Sequence, residues 1–125
     1  MIRRVYIAAP FARYKEATTI SQQLQDDGFL VRDDWMITAK MVFENESKPD
    51  ERDEAEGDIS DIEYCDCLVS LHFEGEGRGM YYEMGYAMKM GIPVIMLGAR
   101  NECIFQTLHT HVEDYDGLLK ALRGS

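Results

Sequence analysis

Apolar residues along this chain fall alternately into short unbroken runs and into stripes spaced three or four apart, and that alternation sets the expected fold. Val5-Tyr6-Ile7-Ala8-Ala9 is a continuous run closed by Pro10, the pattern of a buried strand. From about Ala12 to Asp27, Ala17, Ile20 and Leu24 recur at helical spacing, and Gly28 is a natural stop. Phe29-Leu30-Val31 reads as a second strand. From Asp50 to Tyr64, Ala55, Ile59 and Ile62 form one helical stripe. Cys67 to Leu71 is a third strand, Met80 to Met90 a helix capped by Gly91, and Ile92 to Leu97 a fourth strand with Pro93 near its start. A weaker strand near Leu108 to Val112 precedes a last helix over Tyr115 to Leu122. Only between Asp33 and Asp50 is the period lost, although Trp35, Met36, Met41, Val42 and Phe43 all lie there. An irregular segment of that length in a compact domain is expected to be functional or mobile.

Strand and helix alternate throughout, which predicts an α/β fold: a doubly wound, parallel, five-stranded sheet with helices on both faces. No internal repeat or linker interrupts the pattern, so residues 1–125 are expected to form a single domain. A hydrophobic content of 46% excludes a disordered chain. The formal charge of −10 argues against a nucleic-acid polymer or an anionic membrane as partner, while leaving room for a small nucleotide that needs one or two local cations. No apolar run approaches the roughly 18 residues of a membrane span. Met1-Ile2-Arg3-Arg4-Val5 runs straight into a strand pattern and predicts no signal peptide. Cys65, Cys67 and Cys103 are odd in number and form no C-x-x-C pair, which suits a reducing cytoplasm.

The candidate chemistry centres on Glu74-Gly75-Glu76-Gly77-Arg78-Gly79-Met80-Tyr81-Tyr82-Glu83. This segment places a carboxylate, Glu83, at the start of a helix just behind a glycine-rich turn at the carboxyl end of a strand, where ligands bind in open α/β sheets. A lone Glu there could equally complement the helix dipole. The glycines are no dinucleotide fingerprint, because the third would fall on Tyr82 and the run follows the third strand; nor is there a Gly-Lys-Ser/Thr phosphate loop. Gly75, Gly77 and Gly79 instead read as a flexible turn that exposes backbone donors and lets a sugar come close, or equally as an ordinary turn. Acids crowd between Glu44 and Glu63 against only Lys48 and Arg52, and most of them form a solvated face. Asp58 and Asp61 stand apart, near the end of the helix that leads into the third strand. Trp35 could stack on a base or pack in a lid, and Arg13 could meet a phosphate or simply start a helix. His109 and His111 share a strand face but lack a third ligand of known spacing, so no metal site is assigned.

Taken in order, Val5-Tyr6-Ile7-Ala8-Ala9-Pro10-Phe11, Asp58-Ile59-x-Asp61-Ile62-x-x-Cys65-Asp66, Gly77-Arg78-Gly79, Glu83-Met84-Gly85-Tyr86-Ala87, Gly91-Ile92-Pro93-Val94-Ile95 and Asn101-Glu102-x-Ile104-Phe105 resemble the nucleoside 2-deoxyribosyltransferase-like family over nearly the whole chain. The resemblance implies a flavodoxin-like fold and cleavage of the N-glycosidic bond of a nucleoside or nucleotide, without metal or redox cofactor. By position, Glu83 resembles the family's nucleophile, Asp58 the aspartate that assists at the base, with Asp61 as its substitute, and Tyr6 the tyrosine that orients the glutamate. Pro10, Phe11, Arg13, Trp35, Gly77, Arg78 and Gly79 would touch substrate. The resemblance further implies a homodimer or larger homo-oligomer in which Asn101 or Glu102 completes a neighbour's pocket. Gly77-Arg78-Gly79 departs from the family, since many members carry Asp-x-Gly there, and the acidic segment around Trp35 is longer than expected.

Such a reaction puts positive charge on the sugar and negative charge on the departing base, so two carboxyl groups can serve its two ends. Glu83 must be ionised to attack, which an ordinary glutamate pKa of about 4.3 would ensure. Asp58 must carry a proton, and its acidic neighbours predict a raised pKa. The expected activity is transfer of a deoxyribosyl group to another base or to water. A nucleoside 5′-monophosphate glycosidase, with Arg13, Arg78 or Arg100 holding the phosphate, is the alternative. A non-catalytic nucleotide-binding module and a NAD-cleaving enzyme are the rivals from other classes.

Overall fold

The computed structural model of the chain describes residues 1–45, 48–98 and 103–124. Five parallel strands form one sheet in the order β2-β1-β3-β4-β5, namely β1 (Arg4–Ala8), β2 (Leu30–Arg32), β3 (Cys67–His72), β4 (Val94–Gly98) and β5 (Thr110–Val112). The helices are α1 (Tyr14–Asp26), α2 (Asp34–Asn45), α3 (Glu51–Tyr64), α4 (Arg78–Lys89) and α5 (Tyr115–Leu122), with 3₁₀ turns at Phe11–Arg13 and Ile104–Leu108. This is the doubly wound parallel α/β arrangement the alternating pattern predicts, and it has the flavodoxin-like form the resemblance implies.

The strands form where apolar runs are continuous because both sheet faces are covered. Every residue of β3 is buried, as are Val5 to Ala8 of β1. α3 and α4 pack on each other, while Tyr115 of α5 donates to Asp27 at the end of α1 at 2.6 Å. Right-handed crossovers place these two pairs on opposite faces. Asp50 caps α3 by accepting from the Asp53 N–H at 3.1 Å, and Asp114 caps α5 through Gly117 at 2.8 Å.

One expectation is overturned. Much of the segment expected to be irregular after Asp33 is helix α2. Trp35, Met36 and Ala39 are buried on one face of it, and the Phe43 ring, one turn further on, stacks on Tyr14 at 5.6 Å. The period was present at i, i+1, i+4 and i+8, but the exposed Ile37 and Met41 fell between its members and hid it. The last strand is also shorter than predicted, since Ile104–Leu108 closes into a 3₁₀ turn before it. No helix among the described residues is long and apolar enough to cross a membrane.

The order β2-β1-β3 means the chain leaves β1 toward one edge and leaves β3 toward the other. The crevice between the carboxyl ends of β1 and β3 is therefore the switch point at which such sheets bind ligands.

Candidate active site

A cleft of about 800 Å³ opens at that switch point, within the usual range for a small-molecule site. Its walls are the β1 exit (Ala9, Pro10, Phe11, Ala12), Trp35 of α2, one side of α3 (Ala55, Asp58, Ile59), the turn Gly75–Gly79, and the α4 residues Met80, Tyr82, Glu83 and Tyr86. Tyr6 lines its floor.

Each polar group on the floor has a local reason to point there. Tyr6 and Ala8 share one face of β1, and Tyr6 is 1% exposed with its hydroxyl donating to Glu83 Oε2 at 2.5 Å. Asp58 precedes Ile62 by one helical turn, so the residue that anchors α3 in the core also aims Asp58 inward. Met80, Met84 and Ala87 form the buried stripe of α4, and Glu83 borders it. The helix starts earlier than its apolar pattern suggested because Gly77 caps it at φ 103°, a left-handed conformation; a Cβ there would meet Met80 Cε at 2.7 Å. Glu83 consequently lies in the second turn, where little of the helix-dipole effect reaches. Gly79 has open space where a Cβ would stand.

Asp58 and Glu83 are hydrogen-bonded to each other. Burial pushes the Glu83 carboxyl up to about 8; the Tyr6 hydrogen bond pulls it down, and the charge and hydrogen bond of Asp58 push it up again. Burial, then the carboxylates of Glu54 and Asp61, raise Asp58 to about 7, with the Glu83 hydrogen bond opposing. The expectation of an ordinary, fully ionised Glu83 is therefore overturned, while the raised Asp58 agrees with the sequence reading. Both carboxyls are thus held well above the ordinary carboxylate range, which favours retention of a proton within the pair at neutral pH, as expected of carboxyls that cannot both ionise in one buried site. Tyr6 is held far above its ordinary value by burial and by Glu83 and Asp58, so it stays a phenol and a donor.

Other residues singled out from the sequence are placed as follows. Pro10, Phe11, Trp35, Gly77, Arg78 and Gly79 line the cleft. Trp35 is 4% exposed and its indole N–H donates to the Ile7 carbonyl at 2.8 Å, so it is a fixed wall. Arg13 does not line the cleft: its guanidinium reaches Glu76 at 2.7 Å and Glu16 at 3.0 Å and lies 4.2 Å over the Phe73 ring. Asp61 is also outside it, buried beside Arg32 at 3.5 Å. Asn101 and Glu102, like Arg100, lie outside the described residues. Among the described residues no group of three or more His, Cys, Asp or Glu is arranged to hold a metal ion. The sequence reading missed Ala55, Ile59, Glu76, Tyr82 and Tyr86. Helical spacing could have supplied most of them, since Ala55 and Ile59 flank Asp58, and Tyr82 and Tyr86 flank Glu83, on the same faces. Tyr86 also donates to Glu63, tying α4 to α3 beside the carboxyl pair.

No protein-family model matches the sequence, and a search of curated proteins finds no significant match. Solved structures do match in fold. A 2-deoxyribosyltransferase from Bacillus psychrosaccharolyticus superimposes with a TM-score of 0.64 at 19% identity, over 92% of this chain and 89% of that one. The CMP N-glycosidase BcmB of Clostridium botulinum gives 0.67 at 18% identity, over 98% and 100%. The solution structure of BlsM gives 0.68 at 16% identity, over 95% and 85%. All three have the nucleoside 2-deoxyribosyltransferase-like fold, and this chain shares it.

Proposed function

Proceeding from that shared fold, we propose that this chain cleaves the N-glycosidic bond of a 2′-deoxynucleoside and passes the deoxyribosyl group to another base or to water. The observation that carries the reading is the buried Tyr6–Glu83–Asp58 constellation on the floor of the cleft. Two carboxyls with one proton between them match what the reaction needs. The substrate replaces the Asp58–Glu83 hydrogen bond, leaving the proton on Asp58 and the charge on Glu83, which the Tyr6 hydroxyl orients. Glu83 attacks C1′ as the C1′–N bond breaks; the electron pair goes to the base, which takes the Asp58 proton. A second base or a water then attacks C1′ and frees Glu83, giving its proton back to Asp58. Nothing in this sequence of steps requires a cofactor.

Incubation with each deoxynucleoside and a different free base, followed by chromatography, tests the reading. Exchanged nucleoside or released base is the expected result; none of either, with nucleosides or their monophosphates, removes it. Release of nicotinamide from NAD would point to the NAD-cleaving rival, and binding without any turnover to the non-catalytic one.

Arg78 favours a second reading, a 5′-monophosphate glycosidase. It lines the cleft at the first turn of α4, beside the glycine turn, whereas Arg13 is held by two carboxylates. A guanidinium next to helix N–H groups suits a phosphate. If the monophosphate is the substrate, adding the 5′-phosphate lowers KM and Arg78→Ala abolishes that gain.

A homo-oligomer is part of the proposal. Met88, Ile104, Phe105 and Leu108 expose apolar surface around a second groove, between α4 and the 3₁₀ turn Ile104–Leu108. Light scattering during size-exclusion chromatography reads the assembly directly. Free thiols at Cys65, Cys67 and Cys103 support a reducing, cytoplasmic setting.

A further inference from the structure

Among the described residues that line the cleft, most side-chain donors are already committed, and the Tyr82 hydroxyl belongs to a side chain 84% exposed to solvent. The Trp35 N–H is committed to the Ile7 carbonyl, the Tyr6 hydroxyl to Glu83, and the Tyr86 hydroxyl to Glu63. Arg13 is turned away onto Glu76. Arg78 lines the cleft beside the glycine turn, at the start of α4. The Asp58 carboxyl lines the cleft beside Ala55 and Ile59 of the same helix, and the charges of Glu54, Asp61 and Asp34, which stand outside the lining, reach it. Arg32, a cation close to that cluster, pairs with Asp61 at 3.5 Å and lies over the Tyr64 ring at 4.1 Å.

We propose that this end of the cleft selects bases carrying a basic ring nitrogen beside an exocyclic amine, as in cytosine and adenine, and disfavours their keto counterparts, with Asp58 reading that edge. The inference rests on the glycosidase reading above and deepens it.

Two physical effects act together. An amino group presents N–H donors to the Asp58 carboxyl, whereas a carbonyl in the same place presents lone pairs to that carboxyl and to the negative field of the acids behind it. In the reaction itself, a basic ring nitrogen can accept the Asp58 proton as the C1′–N bond breaks, so that the base departs neutral and the new ring N–H and the amine both face the Asp58 carboxylate. Uracil carries a hydrogen on that nitrogen already. Its departing charge spreads onto carbonyl oxygens, which need fixed donors. The discrimination is therefore expected in kcat/KM, and between molecules of nearly equal shape.

The test compares deoxycytidine with deoxyuridine and deoxyadenosine with deoxyinosine, each with and without a 5′-phosphate. The amino member of each pair is expected to be at least about tenfold better in kcat/KM, the effect of one mispaired polar group. Glu54→Gln, which removes one surrounding carboxylate and leaves the cleft lining intact, should narrow the ratio about two- to threefold. Asp58→Asn, whose amide supplies an N–H donor, should bring the affinities for free cytosine and free uracil, measured by calorimetry, within about twofold or invert them. Equal or better turnover of the keto members, with activity otherwise present, overturns the base assignment and leaves the glycosidase reading standing. No turnover in any arm overturns both. An unchanged ratio in a folded Glu54→Gln protein also counts against the proposal.

Discussion

Asp58 and Asp66 belong to the same helix-to-strand segment, yet their surroundings drive them in opposite directions. Asp66, at the amino-terminal edge of the sheet, accepts from the backbone N–H groups of Arg3 and Arg4 at 3.0 and 2.9 Å and from the Arg4 guanidinium at 2.7 Å. Those contacts hold its carboxyl well below the ordinary range. Asp58, at the carboxyl-terminal edge, is raised to about 7, and its immediate polar partner is another carboxyl, Glu83, raised to about 8. One region satisfies its charge completely; the other gathers acids in a buried site and leaves a proton to be shared. A carboxyl that serves the fold is paired with cations and N–H groups, and one available for chemistry is not.

The largest expected effect is at Glu83. Glu83→Gln should lower kcat by at least about 10³-fold, read from product formation, if the residue is the nucleophile. The same variant sharpens the contrast through stability. A carboxyl raised in the folded state contributes fully below its unfolded pKa and loses that contribution as pH rises through about 8. Glutamine removes the loss, so the variant should melt close to wild type at pH 5 and a few degrees above it at pH 9.

Asp58→Asn comes next, with a loss of about 10²- to 10³-fold in kcat, the usual contribution of a general acid. Because Asp58 helps to raise Glu83, the Glu83 carboxyl should then titrate lower, which carbon-13 NMR of labelled glutamate can follow. Asp66→Asn should act in the opposite manner, leaving activity per folded molecule unchanged and costing roughly 1 kcal/mol of stability at neutral pH. The folded-state pKa of Asp66 is lowered, so its stabilisation is present above the unfolded value and fades as the solution is acidified. The penalty of the variant, measured by denaturant unfolding, should shrink in acid accordingly. Tyr6→Phe should cost about tenfold in kcat and move Glu83 further up, since the hydroxyl pulls that carboxyl down. Tyr86→Phe, which removes an exposed tie between α4 and α3, should have the smallest effect of the cleft variants on kcat, about twofold.

The two regions also differ in how far they could be read from the sequence. Strand runs such as Cys67 to Leu71 and the alternation of strand with helix carried the fold, because burial on both faces leaves a continuous apolar signature. Helix α2 was lost because Ile37 and Met41 sit exposed among its buried residues. At the cleft, Glu83 and Asp58 were legible from their places beside the turn and the strand, and Tyr6 from the resemblance. Arg13 was legible as a cation but not as a partner of Glu76, because that pairing joins residues far apart in sequence across the β1–β3 crevice. The shared proton was equally out of reach, since burial, its leading cause, is a property of the packed structure. Asp66 could be quoted in a motif, but nothing in the sequence shows that it closes onto Arg3 and Arg4.

The pH dependence of kcat/KM for a turned-over substrate tests the shared proton most directly. The account predicts a bell with its maximum near pH 7 to 8, between the pair's two titration steps, because activity requires one proton on Asp58 and Glu83 together. A profile that stays flat from about pH 5 to 9 would contradict it.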